Sequence, residues 1–188
     1  MSIEISIGTT TSNVILGHTT PAEAIEDSRT GKWSKPIALL RAAMGNEATR
    51  LKKSLPTLLW SGKFTTRKNE GLVQPSGLLC ADIDKVAERV GQLHDIARSD
   101  PHVVAAFVSP SGTGIKIIFR VPVPTDAMQH QKNFNAVRVH VASVYRAQVD
   151  EGAKDVARLC FVSHDPAAFY NPDAMQLAVA PIAPAPNG

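Results

Sequence analysis

The chain has 188 residues, two cysteines and a formal net charge of +3 at neutral pH. This length suits one domain of ordinary size. No apolar run approaches the roughly 20 residues of a membrane-spanning helix, and the start of the chain lacks a signal-peptide core. Cys80 and Cys160 have no Cys/His cluster near them, which disfavours zinc and indicates buried thiols in a reducing compartment. We therefore expect a cytoplasmic protein without membrane partners.

The first 76 residues predict an N-terminal α/β unit. Isoleucines alternate over residues 3–7 as on one strand face, and residues 12–16 are the expected partner strand. Thr20, Pro21 and Glu23 form the pattern of a capping box at a helix start. The elements expected next are a helix from Pro36 to Met44, a helix from Glu47 to Ser54, a strand from Thr57 to Ser61 and a loop from Gly62 to Ser76.

The remainder predicts a βαββαβ unit, which forms an antiparallel sheet with two helices on one face. Its expected elements are strand Leu78–Asp82, helix Val86–Ala97, strand Val103–Val108, strand Ile115–Val121, helix Ala127–Gln148 and strand Leu159–Ser163. This is the ferredoxin-like or RNA-recognition-motif-like (RRM-like) arrangement, with the first and third strands adjacent and the fourth beside the first. The predicted fold class is α/β (α+β), with a domain over residues 1–176 divided at residue 76 and a Pro/Ala-rich linker over 177–188.

Asp82-Ile83-Asp84 ends the apolar run of the first strand in this unit. Alternation along a strand sends Asp82 and Asp84 to the same face, where both can reach one hard cation. Carboxylate oxygens suit magnesium or manganese. Taken alone, the motif is also compatible with a strand that ends in a solvated turn.

A glycine-rich segment joins the two middle strands of the unit. It reads Ser109-Pro110-Ser111-Gly112-Thr113-Gly114-Ile115-Lys116. Glycines allow backbone N–H groups to point into a concavity that holds phosphate, and Lys116 is expected to face the Asp82–Asp84 pair. The alternative is a hairpin loop with an exposed lysine. The segment lacks the P-loop pattern.

A third polar segment precedes the last predicted strand. Asp150 or Asp155 can approach the metal site as a further acidic ligand or as a base, and Arg158 can hold a phosphate through two hydrogen bonds. Asp155 and Arg158 can equally form an ordinary surface pair. His164 begins a His-Asp-Pro turn, where a histidine is more often structural than catalytic.

Basic residues are concentrated between Arg50 and Lys68, a stretch without an acidic residue. Cationic side chains neutralise phosphates, and aromatic side chains such as Trp60 and Phe64 can stack on bases. The alternative is a solvated basic face with Trp60 in the core. The candidate nucleic-acid contacts are Lys52, Lys53, Lys63, Arg67 and Lys68.

These motifs together resemble the archaeo-eukaryotic primase superfamily, in particular the primase-polymerase domains of mobile-element replication proteins and their virulence-associated-protein-E-like branch. Asp82-Ile83-Asp84 is similar to the family's first motif, Ser109 to Lys116 to its second, and Val149-Asp150 to its third. The segment from Arg158 to Ser163 with Asp165-Pro166 is similar to the one that follows in this branch, and Leu55-Pro56 with Ser61-Gly62-Lys63-Phe64 resembles its N-terminal half. The resemblance covers roughly residues 50 to 175.

The resemblance implies a metal-dependent DNA primase-polymerase. Two Mg²⁺ or Mn²⁺ ions would lie at Asp82, Asp84 and Asp150, and the triphosphate would contact Ser109, Ser111, Gly112, Gly114, Lys116 and Arg158. The implied partners are nucleoside triphosphates, a single-stranded or primed DNA template, and a downstream helicase or helical-bundle domain.

The chain departs from the family pattern in one residue, because well-studied members carry histidine where this chain has Lys116. The family's zinc module and helical bundle are not recognisable here, which favours primer extension over de novo priming. Three alternatives stay open: a nucleic-acid-binding module with a degenerate site, a replication-initiator nuclease, and a plain interaction domain. The nuclease class needs a His-x-His pair, which this sequence lacks.

Overall fold

The computed structural model describes residues 3–179, which fold into ten strands and five α-helices. The strands are β1 (Ile5–Gly8), β2 (Ile15–Thr19), β3 (Thr57–Leu59), β4 (Gly62–Phe64), β5 (Leu72–Pro75), β6 (Leu78–Ile83), β7 (Val103–Val108), β8 (Ile115–Arg120), β9 (Cys160–Phe161) and β10 (Phe169–Tyr170). The helices are α1 (Pro21–Arg29), α2 (Ser34–Ala42), α3 (Gly45–Ser54), α4 (Val90–Ser99) and α5 (Ala127–Val144).

The predicted α+β class is confirmed by this mixture of helices and antiparallel sheets. Within residues 3–179, no helix is long and apolar enough to cross a membrane. The predicted Pro/Ala-rich tail lies outside the described residues from position 180 onward.

The first sheet has the strand order β2-β1-β3-β9 and carries the N-terminal helices. Thr20 caps α1 as the sequence predicts, since its hydroxyl accepts from the Glu23 N–H and the Glu23 carboxylate accepts from the Thr20 N–H. Buried side chains from α1, α2 and β3 share one core that includes Ile25, Ile37 and Leu58. Capping and apolar burial together fix these helices against the sheet.

The second sheet has the order β10-β7-β8-β6, with β6 and β8 paired over six residues. Apolar residues of β6, such as Leu79 and Ile83, pack with Leu93 of α4 and with Phe134 and Val137 of α5. Both helices therefore cover one face of this sheet. The predicted order of strand, helix, two strands and helix is confirmed over this part of the chain, as is the adjacency of the first and third strands.

The predicted place of the last strand is wrong. The segment Leu159–Ser163 supplies β9, which hydrogen-bonds to β3 of the first sheet and leaves β6 as an edge strand. The reason is burial, because Cys160 and Val162 lie in the same core as Leu58. Contact with β6 is made by side chains instead, since Cys80 packs against the core that contains Cys160.

Other boundaries also differ from the sequence-based prediction. The expected loop at residues 62–76 contains the hairpin of β4 and β5, which Phe64 and Leu72 tie to a small apolar cluster. A short 3-10 turn at Ala87–Arg89 replaces the start of the helix predicted from residue 86. Helix α5 ends at Val144, and Arg146 follows in the left-handed region with φ of +50°.

The two faces of β6 have different surroundings. Leu79, Ala81 and Ile83 point into the core beneath α4 and α5, whereas Leu78 and Cys80 pack with the core of the N-terminal unit. Because side chains alternate along a strand, Asp82 lies on the same face as Cys80. The fold therefore places the predicted site where the second sheet meets the N-terminal unit.

Candidate functional site

The centre of the candidate site is an ion pair between neighbouring strands. Asp82 of β6 lies directly opposite Lys116 of β8, and Lys116 Nζ donates to Asp82 Oδ2. The side chains are only 17% and 7% exposed, respectively. The expectation that Lys116 faces Asp82 therefore agrees with the geometry, and the alternative of an exposed lysine does not.

Burial and charge set the protonation of this pair. Burial raises the pKa of Asp82, and the nearby Asp84 and Asp150 add to the rise, whereas Lys116 opposes it. Burial alone would lower the pKa of Lys116, but the neighbouring acidic groups, with Asp82 first among them and Cys160 and Cys80 after it, together outweigh burial and raise that pKa above its ordinary value. Lys116 thus stays cationic at neutral pH.

One oxygen of Asp82 has no partner in the described part of the chain. Asp82 Oδ1 is buried and accepts no hydrogen bond from residues 3–179. A buried carboxylate oxygen without a donor costs free energy on the order of 1–3 kcal/mol. Such an atom is suited to a ligand that supplies a cation or a donor.

Asp84 lies just beyond the end of β6 and is exposed. The next residue, Lys85, adopts φ of +57°, which turns the chain away from the strand. Gly114 approaches this end of β6 so closely that a Cβ there would lie 2.6 Å from the Ile83 carbonyl oxygen and 3.1 Å from Asp84 Oδ1. Only glycine therefore lets the glycine-rich loop pack against the acidic pair.

The glycine-rich loop is held closed by its own hydrogen bonds. The Ser109 N–H donates to the Gly114 carbonyl at 2.8 Å, and the Gly114 N–H donates to Ser109 Oγ at 3.0 Å. The Ser111 hydroxyl lies 3.2 Å from Ser109 Oγ and 2.9 Å from Thr113 Oγ1. Gly112 has φ of +79°, a conformation that favours glycine. The loop is a compact turn beside Asp84.

Asp150 reaches the site through its backbone. Its N–H donates to the Asp82 carbonyl at 2.9 Å, which docks the segment before the 3-10 turn Glu151–Lys154 against β6. The Asp150 carboxylate pairs with Arg158 and accepts from the Gly152 N–H at 3.0 Å. Of the two candidates for a third acidic group, Asp150 is the one that the fold brings to Asp82.

Asp155 has a different role. Its Oδ1 accepts from the Ala157 N–H at 3.1 Å and so closes the turn that leads to Arg158. The predicted surface pair of Asp155 with Arg158 is replaced by the pair of Asp150 with Arg158.

The basic stretch is distributed over α3 and the β4–β5 hairpin. Lys52 lies over the Phe161 ring at 5.3 Å, Lys63 pairs with Glu4 at 2.8 Å, and Arg67 Nε donates to the Ser12 carbonyl at 3.1 Å. Lys53 and Lys68 are exposed. These cations lie on elements of the N-terminal unit that precede β6.

The two aromatic residues of this stretch are not available for stacking on bases. Trp60 and Phe64 are each 1% exposed and belong to the apolar core. Their interpretation as part of a nucleic-acid surface is wrong, because the folded chain gains more from burying these large side chains than from leaving them in solvent.

Arg41 holds part of the candidate site in place, although the sequence does not mark it as a site residue. Its Nε donates to the Pro110 carbonyl at 3.1 Å, and its Nη2 donates to the carbonyls of Ser109 and His164. One guanidinium on α2 thus ties the glycine-rich loop to the segment after β9. Nothing in the spacing of α2 distinguishes Arg41 from an ordinary exposed arginine.

Asp165 is a second supporting residue, for which the sequence predicted a turn and a resemblance but no role at the site. Its carboxylate accepts from the Val108 N–H at 2.9 Å, where β7 enters the glycine-rich loop, and from the Ala167 N–H at 2.9 Å. The His94 ring lies 3.4 Å away. Burial would raise the pKa of Asp165, but the neighbouring His94 and the hydrogen bonds from the Val108 and Ala167 N–H groups outweigh burial and hold the pKa below 3.8.

His164 occupies a structural position, as its turn context predicts. Its Nδ1 lies 3.0 Å from the Ser28 carbonyl oxygen of α1.

Two residues at the centre of the candidate site, Asp82 and Asp84, carry carboxylate oxygens of the kind that bind a divalent cation. Asp82 offers the unpartnered Oδ1, and Asp84, two residues further along the chain, offers an exposed carboxylate. Asp150 is engaged by Arg158. Within residues 3–179, no group of three or more His, Cys, Asp or Glu side chains is arranged to hold a metal ion. A complete site would require Asp150 to exchange its arginine partner for the cation.

Comparison with known proteins adds a family assignment. The model of the BT4734-like, N-terminal domain family matches residues 50–170, more than half of the chain. The chain belongs to this family. The match spans the candidate site of the BT4734-like domain from the basic stretch to the turn after β9, and of the supporting residues described above it leaves out Arg41. No curated protein matches the chain, and no solved structure does.

Proposed function

We propose that this BT4734-like domain is the catalytic domain of a DNA primase-polymerase, which transfers nucleotides from nucleoside triphosphates to a 3′ hydroxyl on a DNA template. The proposal rests mainly on the cluster of charged residues around Asp82. The paired Lys116, the adjacent Asp84, the docked Asp150 and the packed glycine-rich loop combine acidic and basic groups in one place. Nucleotidyl transfer requires acidic and basic groups at the same point.

The cationic groups would bind the triphosphate. Lys116 is buried and charged, and Arg158 is half exposed on Asp150, so both can exchange a carboxylate for a phosphate oxygen. The glycine-rich loop would add the hydroxyl of Ser111 and backbone N–H groups at Gly112. These residues hold the phosphates beside the carboxylates of Asp82 and Asp84.

In the reaction, the 3′ oxygen of the primer forms a bond to the α-phosphorus, and the bond from that phosphorus to the bridging oxygen breaks to release pyrophosphate. A divalent cation bound at Asp82 and Asp84 would neutralise the charge that builds on the phosphate. Asp150, once released from Arg158, would accept the proton of the hydroxyl or complete the cation site.

The partners that this proposal requires are a nucleoside triphosphate and a primed or single-stranded DNA template. The exposed Lys53 and Lys68 and the half-buried Lys52, Lys63 and Arg67 would neutralise template phosphates. A downstream helicase or helical-bundle domain would supply template opening or primer initiation.

Templated primer extension tests the proposal. The reaction contains a labelled primer, deoxynucleoside or nucleoside triphosphates, and Mg²⁺ or Mn²⁺. Asp84→Asn removes an exposed charge without breaking the ion pair of Asp82, and Asp95→Asn is the matched control on the exposed side of α4. Extension by the parent and by Asp95→Asn, with at least a hundredfold loss in Asp84→Asn, is the expected result. No extension by a folded parent with either nucleotide type contradicts it.

A second candidate function is nucleotide or nucleic-acid binding without turnover. It is favoured by one observation: Asp82 and Asp150, two of the three acidic groups, are each already paired with a cationic side chain. A domain of this kind would bind a nucleoside triphosphate in the absence of a metal ion. Its affinity would be unchanged by Asp84→Asn.

A further inference from the structure

A cavity of about 400 Å³ lies outside the site described above. It is bounded by the β4–β5 hairpin, the first turns of α5 and the segment that follows Asp150. Its volume falls within the range of roughly 300–1,000 Å³ that is typical of small-molecule sites. Apolar side chains form much of its wall, namely Leu72, Pro75, Ala127 and Val156.

His130 gives the cavity a polar group that the fold leaves unused. The residue is 6% exposed, lines the cavity, and its Nε2 has no hydrogen-bond partner among residues 3–179. Burial lowers the pKa of His130, and the charge of Asp155 opposes this only in part. A neutral imidazole offers one donor and one acceptor. A buried ring nitrogen without a partner is costly unless a ligand satisfies it.

Charge at the mouth of the cavity restricts the ligand. Lys154 lines the rim and is exposed. Asn69, another lining residue, directly follows the exposed Lys68 of the basic stretch. Asp126 also lines the cavity, and its carboxylate accepts from the Gln129 N–H at 2.7 Å, where it caps α5. Lys154 is therefore the group that a phosphate at the mouth would contact, and the interior is suited to a flat, mostly apolar group with hydrogen-bonding edges.

The cavity is connected to the candidate active site by one short turn. Asp150, whose backbone docks on Asp82, begins the 3-10 turn Glu151–Lys154, and Lys154 at its other end reaches the cavity. Lys154 at the cavity therefore lies only four residues along the chain from Asp150 at the candidate site.

We propose that this cavity binds one unpaired base of a nucleic-acid strand, with the base beside His130 and the adjoining phosphate at Lys154. The proposal rests on the proposed function only in taking the strand to be the template. It assigns to the domain a strand-binding position that is separate from the carboxylates and from the glycine-rich loop.

The test is strand binding without metal ions or triphosphates, so that it is independent of catalysis. The probe is a fluorescein-labelled 15-nucleotide single-stranded DNA, and binding is followed by anisotropy. Ala127→Trp fills the cavity from an exposed position at the start of α5, and Ala22→Trp is the matched control in the first turn of α1. A thermal melt of each variant verifies that it is folded.

Ala127→Trp is expected to weaken binding about tenfold, as loss of one stacked base does, whereas Ala22→Trp retains the parent affinity. Lys154→Ala is expected to lower the slope of log Kd against log salt concentration by about 0.7, the value for one phosphate contact on a single strand. A strand in which every base is replaced by an abasic site should bind the parent and Ala127→Trp equally.

Two results would overturn the proposal. One is equal binding of the DNA strand to Ala127→Trp and Ala22→Trp, and the other is an equal effect of Ala127→Trp on the abasic strand. Either of these, combined with primer extension that depends on Asp84, would leave the proposed function in place and remove only the base-binding cavity.

Discussion

Replacement of Lys116 by methionine should destabilise the domain by about 3 kcal/mol. Methionine keeps most of the apolar length of the side chain but leaves the Asp82 carboxylate without its cation. Removal of one partner of a buried ion pair typically costs about 3–5 kcal/mol. The Asp82 side chain retains 17% exposure, so water can reach it in part, and we expect the lower end of this range.

The double variant should lose less stability than the sum of its two single variants. Asp82→Asn alone strands the buried Lys116 ammonium and should cost a similar amount. Lys116→Met combined with Asp82→Asn removes both charges, so its cost should be close to that of one single variant and well below the sum. The coupling energy of the cycle should be at least about 2 kcal/mol.

The assay is urea unfolding followed by tryptophan fluorescence, because Trp60 is buried in the core and reports loss of packing. For a domain of this size, a loss of about 3 kcal/mol also lowers Tm by roughly 6–12 °C. The exposed Lys35→Met on α2 is the control and should change stability by less than about 0.5 kcal/mol. Additive losses in the double variant, or a loss below about 1 kcal/mol for Lys116→Met, would refute the argument.

Three further predictions concern residues that shape the site. Gly114→Ala should cost about 1–3 kcal/mol in a thermal melt, because its Cβ would meet a backbone oxygen at 2.6 Å, whereas Gly17→Ala, with nothing within 4 Å, should be nearly neutral. Arg41→Met should lower stability by about 1–3 kcal/mol and weaken deoxynucleoside triphosphate affinity in a calorimetric titration, and Lys35→Met should leave that affinity unchanged. The ionised Asp165 carboxylate stabilises the parent above pH 3.8, and this stability is lost as the pH falls through its lowered pKa. Asp165→Asn should remove this contribution, so that a plot of urea midpoint against pH becomes flatter on the acid side. Unchanged stability in Gly114→Ala would contradict the role of that glycine. Equal triphosphate affinities in Arg41→Met and Lys35→Met would contradict the role of Arg41. An unchanged urea midpoint at acid pH in Asp165→Asn would contradict the role of Asp165.

Local signals predicted much of the fold. The Thr20 capping box depends only on residues four positions apart at most, and the apolar run before Asp82 depends only on alternation. The opposition of Asp82 and Lys116 follows from one topological rule applied to these local elements. These parts of the site were therefore predictable from the sequence.

Features that depend on which of several tertiary contacts a segment makes were not predictable from the sequence. The segment after Arg158 could pair with either of two strands, and burial of Cys160 and Val162 decided for β3. Trp60 has the same neighbours in sequence whether it is buried or stacks on a base. Arg41 acts through three carbonyl groups far away in the chain, which no local pattern encodes.

The most direct measurement of the central claim is a crystal of the domain soaked with Mn²⁺ and a non-hydrolysable deoxynucleoside triphosphate, with the manganese located by its anomalous scattering. The account expects manganese bound by Asp82 Oδ1 and Asp84, with the triphosphate against Ser111, Gly112 and Lys116 and with Arg158 moved from Asp150 to a phosphate. Manganese absent from both carboxylates, or a triphosphate bound elsewhere while the pair of Lys116 with Asp82 stays intact, would contradict it.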